Sequence, residues 1–328
     1  MSVFNPYLSV IKKAVQQDPK LKQRLFSSEL EDSAFDTSYI KALRNELPNS
    51  KSINESVSLI KGMGVPVVGN LPELGNHPDF KYLRNTDETE DHWIISGFID
   101  VKDSTKLFNR FTKATVALIT EGIVQASIFA VNLCDGYVHR IQGDGLMVYF
   151  GGKDKDKAES VKNALKAFAM ISYFVKNDLK DFFAANSVTE IFTRAGLDLG
   201  HNNQVRWLYS GSGNAGEVTT CSLHTSLAPK MQSNAVSNGV VVGQNIVNQM
   251  TDKKYFTEKR NPIWEYGDGR VYNQFDFNWD KYITDNGLGV QDRFGNIVLT
   301  IGDTDQIKPL DRTYLAPIAE LNKPYFVI

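Results

Sequence analysis

Cysteine is nearly absent from this chain: Cys134 and Cys221 are the only two. Two thiols make no disulfide framework, so a reducing, cytoplasmic setting is expected. Charge of one sign is lacking too, with a net charge of −2 at pH 7. That gives no electrostatic reason to expect nucleic acid or an anionic membrane as a partner. Long apolar runs are missing. The best candidate, Ala114 to Val131, is interrupted by Glu121 and Gln125 and reads as a packed helix, not a bilayer span. The opening Met-Ser-Val-Phe-Asn-Pro has neither a basic region nor an apolar core, so no secretory signal is expected. The five histidines are scattered, none at zinc-ligand spacing from Cys or another His. A G-x-x-x-x-G-K-[ST] phosphate loop is absent, as is a nucleophile elbow, which removes P-loop ATPases and Ser-His-Asp hydrolases. Gly211-Ser212-Gly213-Asn214-Ala215-Gly216 matches G-x-G-x-x-G in form only. Strand-like Glu217-Val218-Thr219-Thr220 follows where a dinucleotide fold needs a helix, so a hairpin loop is expected.

What is present is the composition of a globular protein: 328 residues, 42% hydrophobic and 23% charged, room for one large domain or two ordinary ones. Residues 1–90 read as a helical accessory region. Leu8, Ile11, Val15, Leu21 and Leu25 have helical spacing interrupted near Pro19, and Tyr39 to Leu47 suggests a second helix. Gly62-Met63-Gly64-Val65-Pro66, Pro72 and Pro78 break regular structure, and the polar Arg84 to Asp91 marks a boundary. Over 91–258 the pattern is strand, long helix from Thr105 to Leu133, hairpin, helix from Ala158 to Phe183, then strands. Ile191 to Leu199 and Val205 to Tyr209 read as a pair of strands, with Val218 to Thr220, a short helix from Leu223 to Met231, and a strand at Gly239 to Val242 after them. This is an α+β layout of the split βαβ, ferredoxin-like kind. Residues 259–328 read as a β-rich C-terminal extension.

Two motifs carry chemistry. Ile94 to Ile99 reads as a buried strand ending on Asp100, and Gly143-Asp144-Gly145 as the turn between strands Tyr137–Gln142 and Leu146–Phe150. Carboxylates that converge would repel each other, and one hard cation keeps both ionised. Asp103-Ser104-Thr105 would open a helix, whose free amides suit phosphate. Either motif alone is ordinary: Asp-Gly forms hairpin turns and Asp-Ser-Thr caps helices. Together they suggest chemistry on a nucleoside triphosphate.

In this order and spacing, the residues from Gly97 to about Met250 resemble the class III nucleotidyl cyclases. The resemblance implies two Mg²⁺ or Mn²⁺ ions held by Asp100, Asp144 and the Val101 carbonyl. It implies a triphosphate cradle at Lys102, Asp103, Ser104 and Thr105. Aligning Ser222 to Lys230 with the family's later motif implies that Lys230 stabilises the transition state. Ser226 then stands where the family has an Asn that orients the ribose. Base reading would fall to Arg140 and Thr219, which match neither the adenylate nor the guanylate pattern. That departure is similar to the pyrimidine cyclases of bacterial anti-phage signalling, called Pycsar. It implies CTP or UTP as substrate, cyclic CMP or cyclic UMP as product, a head-to-tail homodimer, and a separate effector that the product activates. A purine cyclase and a degenerate nucleotide-binding regulator are the rival readings.

Overall fold

The computed structural model describes residues 3–21, 37–61, 71–102, 104–185, 191–291 and 297–299. Leu25, the Gly62–Pro66 punctuation, Asp103 and the extension beyond 299 lie outside the described residues.

Three helices come first: α1 (Asn5–Gln17), α2 (Thr37–Glu46) and α3 (Ser50–Ile60). Pro6 sits in the first turn of α1, where its missing N–H costs nothing, and Pro19 forces Asp18 into an extended conformation that ends the helix. Then come β1 (Thr89–Asp91), β2 (Ile94–Lys102), α4 (Lys113–Leu133), β3 (Gly136–Gln142), β4 (Gly145–Phe150), α5 (Lys157–Tyr173) and α6 (Lys180–Ala185). They are followed by β5 (Phe192–Gly200), β6 (Arg206–Ser212), β7 (Ala215–Cys221), α7 (Leu223–Asn234), β8 (Gly239–Gly243) and α8 (Gln244–Gln249). Last are β9 (Phe256–Glu258), β10 (Trp264–Glu265), β11 (Val271–Tyr272), β12 (Gln274–Phe277), α9 (Trp279–Asp285), β13 (Gly289–Gln291) and β14 (Ile297–Leu299).

The main sheet runs β3-β4-β2-β5-β8-β12-β9 and is antiparallel except between β5 and β8. The α+β expectation therefore holds. One strand from the C-terminal stretch, β12, joins this sheet between β8 and β9, the last strand of the 91–258 region. The 191–199 and 205–209 strands do not pair with each other. β5 joins the main sheet, while β6 pairs with β1 and β7. The hairpin expected at Gly211–Gly216 is the β6–β7 turn.

Alternation along the strands builds two faces. Ile95, Ile99 and Val101 belong to the main core with α1, α4 and α5, whereas Ile94, Met147, Tyr149 and Phe98 pack with Phe80, Tyr137 and Trp207 on the other side. Helix α4 is long and apolar enough to cross a membrane, but 67% of its apolar window is buried inside the fold. It begins at Lys113, not at Thr105. Ser104–Asn109 forms a short 3₁₀ helix, Phe111 is buried, and Thr112 caps α4 by accepting the Thr115 amide. Asp18 fixes this start, since its Oδ2 accepts from both the amide and the hydroxyl of Thr112 at 2.9 Å.

Candidate active site

Strand β2 runs past Asp100 to Lys102, two residues further than the sequence pattern suggests. Pairing with β4 ends at Ile99–Leu146, while pairing with β5 continues to Lys102–Phe192. One side of the Asp100–Lys102 backbone is therefore open where the β3–β4 turn stands. That turn has two residues, and positive φ falls on Gly143 alone, the type II′ pattern, which leaves Asp144 at the second corner. Gly145 lets the turn press on β2. A side chain there would reach within 2.8 Å of the Ile99 carbonyl and 3.4 Å of Asp100 Cβ. This close approach sets the turn that carries Asp144 against the Asp100 end of β2.

Asp100 is not free. Arg194, directly opposite on β5, donates to its Oδ2 at 2.9 Å. Its Oδ1 and the Oδ2 of Asp144 are buried without a hydrogen-bond partner among the described residues. Buried carboxylate oxygens left this way call for a cation, and oxygen-only donors suit a hard one. Strand backbone repeats every two residues, so the Val101 carbonyl points the same way as that of Ile99, toward the open side. Among the described residues no three His, Cys, Asp or Glu side chains form a metal cluster. A cation here would complete its shell with carbonyl and substrate oxygens, and the donor set fits Mg²⁺ in that way.

The residues expected to cradle phosphate divide. Lys102 is a ladder residue whose ammonium reaches Ser237 Oγ at 3.2 Å, and Ser104 and Thr105 lead the 3₁₀ helix. Asp103 lies outside the described residues.

Arg140 lies on β3 just past a bulge at Val138/Arg140, and it grips Glu217 of β7 through Nε, at 3.1 Å, and Nη2. Thr219, two residues on from Glu217, lies 3.5 Å from the Tyr149 hydroxyl. Arg140 thus meets β7 at Glu217, two residues from Thr219 on the same strand, and nothing in the local sequence pattern marks Glu217. Burial pushes the neighbouring His139 down to about 3, with the Arg140 charge adding to the effect.

Helix α7 lies on β5 at Gly196, where any Cβ would collide with the Ala228 carbonyl and the Gln232 amide. Beneath its first turn, buried Asp198 accepts from Tyr272 Oη at 2.7 Å and pairs with His224 Nδ1 at 2.8 Å. Burial raises the Asp198 carboxyl above the usual range. These three residues have no spacing signal in the sequence, because they come from β5, α7 and β11. A hydroxyl chain, Ser96–Thr225–Thr220–Tyr149, joins α7 to β7 and the sheet at 2.8, 2.9 and 3.1 Å. His224, Thr225, Leu227, Ala228 and Met231 face inward, so Ser226 and Lys230 project from the opposite, exposed side of α7. Ser226 Oγ donates to the Ser222 carbonyl, and Lys230 Nζ sits 5.2 Å from the Trp264 ring centroid. The fold sets the Asp144 turn against the Asp100 end of β2 and places Arg140 against Glu217, two residues from Thr219; it turns Ser226 and Lys230 outward.

Comparison with known proteins finds relatives over about two thirds of the chain. The chain is similar to a cytidylate cyclase of Staphylococcus aureus, 35% identical over 222 residues, which are 64% of this chain and 52% of that protein. A cytidylate cyclase of Escherichia coli is 32% identical over 226 residues, covering 66% of this chain and 48% of the relative. The chain thus spans about half the length of the curated relatives it matches. Among solved structures, the adenylyl cyclase CyaB from P. aeruginosa superposes with a TM-score of 0.49 at 18% identity, over 58% of this chain and 95% of that one. No protein-family model matches the chain.

Proposed function

We propose that this relative of the cytidylate cyclases converts CTP to 3′,5′-cyclic CMP and pyrophosphate. The observation that carries the reading is the pair of orphaned, buried carboxylate oxygens on Asp100 and Asp144 beside an open strand edge. Asp100, Asp144 and the Val101 carbonyl would hold two divalent ions, Mg²⁺ or Mn²⁺. When bound, such ions lower the pKa of the ribose 3′-hydroxyl and neutralise phosphate charge. The 3′-oxygen attacks the α-phosphorus, the bond to the bridging β-oxygen breaks, and pyrophosphate leaves. Ser104 and Thr105, at the head of the 3₁₀ helix, are the described residues left to meet the outer phosphates. Lys230 neutralises charge growing on the α-phosphoryl oxygens.

Lys230 projects from the outer side of α7, so the reading includes a head-to-tail homodimer in which it serves the aspartates of a second copy. The two free cysteines, one buried and one exposed, suit a reducing compartment. The similarity to cytidylate cyclases supports CTP over UTP; the sequence resemblance to the Pycsar cyclases extends the proposal to an anti-phage messenger read by a separate effector protein. One observation favours a nucleotide-binding domain without turnover: Ser226, at the ribose-orienting position, spends its hydroxyl on its own helix.

Incubation with each of the four ribonucleoside triphosphates and Mn²⁺, read by mass spectrometry, decides. Cyclic CMP from CTP is expected, with Asp100→Asn giving less than about a tenth of the wild-type rate. Absence of every cyclic nucleotide would end the enzyme reading.

A further inference from the structure

Arg140 and Glu217 form a built edge. Two guanidinium nitrogens engage both carboxylate oxygens of Glu217, in the paired geometry that fixes both planes. Gly75 locks the two strands that carry them. Its amide donates to the His139 carbonyl at 2.8 Å, and its carbonyl accepts the Val218 amide at 2.9 Å. Gly75 holds a φ of +68°, and its Cα is so close to Glu217 that a Cβ there would lie 3.0 Å from Glu217 Cβ. The bulge beside His139 turns Arg140 toward this pair. The side chains stay 41% and 24% exposed, so their outer rim is available to a ligand.

That rim has a hydrogen-bonding order. A carboxylate paired with arginine is acceptor-only, and the guanidinium keeps unspent N–H donors beside it. Read across, the edge is acceptor, donor, donor. Cytosine presents the complement: the N4 amine donates, and N3 and O2 accept. Uracil presents acceptor, donor, acceptor, and would set its O4 against a carboxylate.

We propose that Glu217 is a specificity-determining residue, which accepts the N4 amine of cytosine while Arg140 donates to N3 and O2, and so separates CTP from UTP. The inference rests on the proposed cyclase activity and assigns the base-reading surface of that same site.

The test is competition. Wild type and Glu217→Gln receive equimolar CTP and UTP at low conversion, and the ratio of cyclic CMP to cyclic UMP is read by mass spectrometry. This product ratio equals the ratio of kcat/KM values, so inactive protein cancels. The amide of Gln offers a donor as well as an acceptor and accommodates O4. The cyclic CMP to cyclic UMP ratio should fall at least about tenfold, since a mismatched polar contact discriminates strongly. A ratio unchanged within about twofold, or moved toward cyclic CMP, would show that Glu217 only neutralises Arg140. Loss of both products from a variant that melts like wild type would assign Glu217 to the chemistry and equally overturn the proposal. If wild type makes no cyclic nucleotide, the enzyme reading fails first, and that is visible before the variant is compared.

Discussion

His77 and His139 spend their lives neutral inside the aromatic layer around Trp207. Burial pushes His77 down to about 4, opposed by Asp79 and helped by His92, and pushes His139 down to about 3, helped by Arg140 and His77. Glu217 stands 3.6 Å from His139 Nε2. In the unfolded chain both rings titrate near 6.5. Between that value and the folded ones the unfolded state binds more protons, so stability falls as pH drops. The loss is up to about 1.4 kcal/mol per pH unit for each ring. Thermal melting between pH 7 and 5 should therefore show a falling midpoint, and His139→Gln should flatten the slope. A midpoint independent of pH over that range would contradict burial of both rings as neutral imidazoles. The signal was invisible in the sequence, where scattered histidines only excluded a zinc site.

At the scale of elements, α7 decides the most, because it carries Ser226 and Lys230 and its backbone comes closest to β5 at a glycine, Gly196. Gly196→Val sets a branched side chain against backbone, which no rotamer relieves. It should cost about 1–3 kcal/mol and expose α7 amides to hydrogen exchange before those of β2 and β4. Uniform protection in the variant would show that α7 is not held through this contact. The docking also explains why the strands were easier to read than the helix starts. β2, β3 and β4 announce themselves by apolar runs and a turn dipeptide. The start of α4 depends on Asp18, 94 residues away, reaching Thr112, and no local pattern carries that.

Across the whole molecule, the proposed site draws on two separate places in the fold. Asp100 and Asp144 belong to the end of β2 that β4 leaves unpaired and to the neighbouring turn, and Lys230 faces solvent from α7. A two-fold dimer makes two composite sites from such a chain. Asp144→Asn and Lys230→Ala, each inactive alone, should recover about a quarter of wild-type activity when mixed. Random pairing makes half the dimers mixed, and both lesions of a mixed dimer fall in one of its two sites. No recovery despite demonstrated subunit exchange would place the whole site within one chain.

Sequence by itself determined the strand that carries Asp100, the turn that carries Asp144 and the α+β class, because each is written in short-range alternation and turn chemistry. It also determined what is excluded, from the phosphate loop to the disulfide framework. Only the tertiary structure decided that Gly145 lets the turn carrying Asp144 close on the Asp100 end of β2, that Arg140 is committed to Glu217, and that β9 and β12 complete the main sheet. Those facts depend on contacts between segments far apart in the chain. Pairing of this kind is set by how faces fill and charges find partners, which local pattern does not encode.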